Sequence, residues 1–150
     1  MPLDQRVFVA AAMPLASIFT SMTLGLGLLM CFSAVHVACI GFITAIGLAL
    51  LFLIGTYEAL IGVLLFSALG LVQGASFAAI PQLNMTASEQ ALAHGTLAQA
   101  GNIGNLCGTP LLLFLTYYGG TKAKIALVVA CYLIAICTHL SFDRQRKSRT

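Results

Sequence analysis

The sequence predicts an all-α membrane protein, a bundle of about five transmembrane helices. Only 7% of the 150 residues are charged, against roughly 25% in a soluble domain. Hydrophobic residues make up 60% of the chain, and mean hydropathy is +1.02. The few charges are also gathered into short clusters, separated by long stretches with none. Too little charge remains to coat a globule in water, so the solvent for most of the chain is lipid.

No Asp, Glu, Lys or Arg occurs between Arg6 and Glu58, from Ala59 to Ser88, from Gln90 to Thr121, or from Ile125 to Phe142. A bilayer core of roughly 30 Å takes about 20 apolar helical residues. The first gap is long enough for two passes, and each of the others holds one. Backbone groups cannot stay unpaired in hydrocarbon, so each pass is a helix or a barrel strand. The gaps lack the apolar/polar alternation of barrel strands, which leaves helices.

The first span covers 7–30. Pro14 lies inside it, close to the hydroxyls of Ser17, Thr20, Ser21 and Thr23, which can satisfy a carbonyl freed by the proline. A weak, uncharged break at Cys31–His36 leads to a second span over 37–54. Gly55-Thr56-Tyr57-Glu58 links it to the third, over 59–80. The polar stretch Pro81–Gly95 follows. Pro81 marks a helix end, and Thr86 with Glu89 has capping-box spacing, so a new helix starts near Thr86. The fourth span covers 92–118. Gly119-Gly120-Thr121-Lys122 turns the chain into the fifth, over 124–142. The whole forms one transmembrane domain with a basic tail over 143–150.

Four of the seven basic residues, Arg144, Arg146, Lys147 and Arg149, fall in that tail. Lys and Arg favour the cytoplasmic side, so the C-terminus is expected inside and, after five passes, the N-terminus outside. Lys122 and Lys124 then lie outside. A signal-anchor that exports its own N-terminus would account for the N-terminal placement, and spans upstream of Met1 would account for it more simply.

The cysteines, Cys31, Cys39, Cys107, Cys131 and Cys137, fall in or beside spans and match no zinc or redox spacing. They read as small apolar packing residues. Glu58, Glu89, His36 and His94 fall at span ends, and His139 is near the cytoplasmic end of the last. No catalytic constellation, metal set or cofactor motif can be assembled, so no enzyme activity is expected. The basic residues are confined to one short tail, which points away from a nucleic-acid partner.

The segment richest in chemistry is Gln99-Ala-Gly-Asn-Ile-Gly-Asn-Leu-Cys-Gly-Thr-Pro110. At 100° per residue, Gly101, Gly104 and Gly108 share one face. Asn102, Asn105 and Thr109 form a stripe roughly 100° around, with Gln99 at its edge. Glycines let another helix come close. Amides in mid-membrane are costly unless they bond to a partner or line a wet cavity. Two readings stand: the stripe lines a substrate path, or it forms interhelical hydrogen bonds that hold the bundle together. Either way Asn102 and Asn105 are expected to point into the bundle, toward a surface that further helices would cover. Gly70 and Gly74 make a weaker packing pair, with Gln73 and Ser76 off their face.

The stretch Phe77-Ala-Ala-Ile-Pro-Gln-Leu-Asn84, then Glu89-Gln-Ala-Leu-Ala-His-Gly95, then Gly101-Asn-Ile-Gly-Asn-Leu-Cys-Gly-Thr-Pro110, resembles the last third of bacterial major facilitator superfamily transporters. There a helix ends at a polar cytoplasmic loop. The next helix carries a similar Gly-Asn and Gly-x-Pro run, and one more leads to a basic tail. The resemblance covers residues 60–150, and the earlier spans by topology alone. It implies twelve helices in two six-helix halves, with substrate bound between the halves and carried by alternating access. This chain would supply the last five helices. The family's Gly-x-x-x-Asp-Arg-x-Gly loop has no counterpart here: after Gly25 and Gly27 the chain reads Leu-Leu-Met-Cys-Phe-Ser-Ala-Val-His, without an acid or a base.

The expectation is therefore a carrier of a small organic solute or drug in the bacterial inner membrane, with the lipid bilayer and either an N-terminal transporter half or further copies of the chain as partners. The alternative is a membrane subunit, or the remnant of a gene, that transports nothing and only packs against another protein. Substrate-path candidates are Gln99, Asn102, Asn105, Thr109 and Gln73; helix-packing candidates are Gly70, Gly74, Gly101, Gly104 and Gly108.

Overall fold

The structure, a computed structural model, describes residues 3–148, and among them it contains helices and turns with no strand. Helix α1 (Leu3–Thr20) runs through a π-helical turn, Ser21–Gly25, into α2 (Leu26–Cys31). A π turn carries one extra residue and commonly marks a distorted stretch of helix. It follows Pro14 by two turns, and Thr23 Oγ1 donates to the Phe19 carbonyl at 2.7 Å just where the π turn begins. Phe32 and Ser33 are extended and form the first break.

Helix α3 (Ala34–Leu51) ends in a 3-10 turn, Phe52–Ile54, and Gly55 takes a positive φ of 72° that reverses the chain. Helix α4 (Glu58–Leu83) then runs two residues beyond Pro81, where the sequence predicts its end. Proline removes a single donor, which the last turn of a helix tolerates. Asn84 closes the end instead: its backbone N–H and its Nδ2 both donate to the Ile80 carbonyl, at 3.1 and 2.8 Å.

Helix α5 (Ala87–Lys147) begins with the expected capping box. The Glu89 N–H donates to Thr86 Oγ1 at 3.2 Å, and the Thr86 N–H donates to Glu89 Oε2 at 3.0 Å. The bonds from Thr86 hold the Glu89 carboxyl below its ordinary range. Its contribution is present above the unfolded carboxylate value and is lost as pH falls through the folded one. Thr86→Ala should weaken this start by about 1 kcal/mol. Hydrogen exchange at the Glu89 amide should then speed up about fivefold, with no change at Ile125.

At 61 residues, a straight α5 would extend about 90 Å, three times the bilayer core. It is not straight. Gly120 has φ 68° and ψ −171°, outside the helical region. Past it the chain returns along itself. Leu97, Ala100 and His139 line one cavity, and Leu112 and Ile125 line another. In an unbroken helix Ala100 and His139 would lie about 60 Å apart. The fourth and fifth predicted spans are thus the two arms of α5, 87–119 and 121–147, folded back at the glycine pair.

Helices α3 and α4 carry most of the buried residues. In lipid, helices associate by close packing of small side chains rather than by hydrophobic contrast. Ala34, Ala38, Gly41, Ala45 and Ala49 recur at steps of three and four on α3, and all are buried. A Cβ on Gly41 would sit 2.7 Å from Val72 Cγ2 and 3.0 Å from the Ala68 carbonyl oxygen, so α3 and α4 touch through backbone. Val37, Ala38 and Ala75 form the centre, with Leu28 and Leu29 packed against them. On its other side α4 meets α1. A Cβ on Gly62 would lie 2.5 Å from Met13 Cε, and one on Gly70 would strike the Ser17 backbone carbonyl. The second arm of α5 joins α3 through Phe42, whose ring lies 5.6 Å from Tyr132 and 6.0 Å from His139.

Candidate functional site: the polar stripe of α5

The half-buried positions of the first arm of α5, Ala93, Leu97, Gly108, Leu112 and Leu115, repeat at helical spacing and mark the side turned to the rest of the chain. Gly101 and Gly104 fall on this same line. Nevertheless the chain stands off from them: beyond the helix's own adjacent backbone, no atom lies within 4 Å of where a Cβ would be on Gly101, Gly104 or Gly108. The close helix neighbour that these glycines permit is not supplied by this chain. Gly70 and Gly74 differ. A Cβ on Gly70 meets the Ser17 backbone, and one on Gly74 meets Ser21 Oγ.

The amide stripe lies about 100° around the arm from that line. Gln99, Asn102, Asn105 and Thr109 are all exposed. They point away from this chain's other helices, and the sequence reading gives them a surface that helices beyond this chain would cover. That reading could place the two stripes relative to one another, but not relative to helices whose positions were unknown. None of the four side chains makes a hydrogen bond among the described residues. Three other threonines of α5 behave differently: Thr96, Thr116 and Thr138 each donate to the carbonyl four residues back.

Gln73 is not brought to the stripe. It is exposed on α4 and borders a cleft of about 220 Å³ with Ser21 and Gly74, between α4 and the π turn. Ser76 donates to the Val72 carbonyl at 2.8 Å. The stripe therefore stands as four neutral donor–acceptor groups on one helix, without a carboxylate, an imidazole or a cation beside them. Such a surface can hydrogen-bond water, a polar solute or another helix. No cluster of His, Cys, Asp or Glu able to hold a metal occurs among the described residues.

One feature had no signal in the sequence beyond the polar character of the α4–α5 link. Where α4 ends and α5 begins there is an open groove of about 590 Å³, bordered by the last turn of α4, the first arm of α5 and His139 of the second arm. Ser76, Ala79, Leu83 and His139 also border a smaller chamber of about 250 Å³ that reaches Arg146. The sequence placed His139 only near the end of a span, because partners more than 40 residues apart cannot be read from spacing.

Four helices are long and apolar enough to cross a membrane. Comparison with known protein families, with curated proteins and with solved structures finds no match for this chain.

Proposed function

We propose that the chain forms part of a carrier of the major facilitator type, moving a small organic solute or drug across a bacterial inner membrane, and that the stripe of α5 lines the solute's path. In this reading α1 to α2, α3, α4 and the two arms of α5 make five passes. The N-terminus is outside, and the basic tail is cytoplasmic. A complementary set of helices, on the same polypeptide or another, covers the face that carries the stripe.

One observation carries the reading. Four polar side chains stand in the middle of an apolar helix, exposed and without a hydrogen bond among the described residues. An amide left unpaired in hydrocarbon costs several kcal/mol. The stripe is therefore stable only against water or against another polar surface. A path between two helical halves supplies both, and alternating access needs it to. The order of the polar link, the glycine–amide run and the basic tail supports the same family.

The open line at Gly101 and Gly104 favours a second reading, in which the arm only packs against another membrane protein and its amides bond across that interface. Asn102→Ala separates the two. In cells expressing the assembled carrier, a path residue that loses one hydrogen bond to solute should lower export of a panel of fluorescent drug-like dyes about tenfold. The amount of protein in the membrane should stay unchanged. Unchanged export with reduced assembly would favour the packing reading.

A further inference from the structure

The two-chambered groove beside His139 is built mostly from apolar walls, among them Ala79, Ile80, Leu83, Leu92 and Leu97. Its polar side chains fall into two groups. Ser76, Thr96, Thr138 and Asn84 each donate to a carbonyl of their own helix, and Glu89, at the rim where α5 begins, accepts the capping-box bond through one carboxylate oxygen. His139 and Arg146 remain: neither side chain makes a hydrogen bond among the described residues, although Arg146 lies within electrostatic reach of the Asp143 carboxylate. Both offer N–H donors, and Arg146 carries a permanent positive charge. Arg146 lies in the same basic run as Arg144 and Lys147.

The space is an open groove along the helices, so the medium around the chain enters it, and within a bilayer that medium is lipid. A free anion would gain nothing from the apolar walls. The bilayer supplies a molecule with both halves, an acyl chain for the larger chamber and an anionic headgroup for the donors. The geometry points to a site for one anionic phospholipid of the surrounding membrane. Its headgroup phosphate lies at Arg146 and His139, and a chain runs along Ile80 and Leu92 between α4 and the first arm. The site is independent of what the amide stripe does, and it fits the general attraction of basic juxtamembrane segments to anionic lipid.

The chain has no tryptophan, so a single one reports its own surroundings. Leu97→Trp places it on the half-buried wall of the larger chamber. The full chain goes into bilayers of phosphatidylcholine with a minor fraction of phosphatidylglycerol, and bromine is carried on the acyl chains of one lipid or the other. Brominated phosphatidylglycerol should quench this tryptophan as though enriched about fivefold over its bulk fraction, the effect of one basic group near an anionic headgroup. Arg146→Gln should bring the enrichment close to unity, Arg146→Lys should restore most of it, and Arg144→Gln should leave it unchanged. Helical content by circular dichroism verifies that each variant is folded. Equal quenching by both lipids would overturn the site. So would an enrichment that survives Arg146→Gln, because it would come from the tail as a whole. Loss of the enrichment on adding millimolar inorganic phosphate would also overturn it, since it would identify a free-anion site.

Discussion

Gly70→Leu should pull α1 away from α4 and cost the isolated chain about 3 kcal/mol of stability, the upper range for overpacking a tight contact. The atom that a Cβ at position 70 would strike is the Ser17 carbonyl oxygen, part of the backbone of α1. A side chain can rotate away from such a clash, but a helix backbone moves only as a whole. At this chain length the loss corresponds to a fall in melting temperature of about 10 °C, measurable by circular dichroism in mild detergent. Gly104→Leu is the matched comparison. Beyond the helix's own adjacent backbone, nothing lies within 4 Å of its Cβ position, so the same substitution should shift the melting temperature by no more than about 2 °C. Its effect should instead appear in association with other helices. Equal loss in both variants would mean that the first arm packs more closely on this chain than the structure has it.

That contrast shows what could and could not be read from the residues. Charge-free gaps located the apolar helices to within a few positions, because expelling charge from hydrocarbon is a constraint on every residue of a span. The turn at Gly119-Gly120 and the capping box at Thr86 were legible for a similar reason, since each is a local rule carried by specific residue types. The face of α3 made by Ala34, Ala38, Gly41, Ala45 and Ala49 was not. Alanine is unremarkable in an apolar helix, and its spacing acquires meaning only from the helix laid against it. The glycines show the same limit from the other side. Gly70 and Gly104 look alike in sequence, yet one meets a backbone and the other meets nothing in this chain. The extension of α4 beyond Pro81 depended on Asn84 closing the helix, a contribution that a rule for proline alone does not contain. The stripe Gln99, Asn102, Asn105 and Thr109 was legible as a set, because helical periodicity determines which residues share a face. The direction of that face was set by tertiary packing.

The central claim is that this stripe faces water in the working assembly, and thiol accessibility tests it most directly. Cys31, Cys39, Cys107, Cys131 and Cys137 are free and are first replaced. Single cysteines are then introduced at positions 102, 105 and 134 of the full chain in its native membrane. All three positions are exposed on this chain, and Ile134 is 65% exposed. Ile134, however, sits among apolar residues on the second arm, which the proposed reading turns toward hydrocarbon. A thiol reacts as its thiolate, a species that forms in water and scarcely at all in lipid. Treatment with a membrane-impermeant maleimide, applied from each side in turn, should label positions 102 and 105 at least about tenfold faster than position 134, on the scale of the thiolate fraction that water permits. Labelling of all three at the same slow rate, together with full export activity of Asn102→Ala, would contradict the account and leave the amides as contacts between helices.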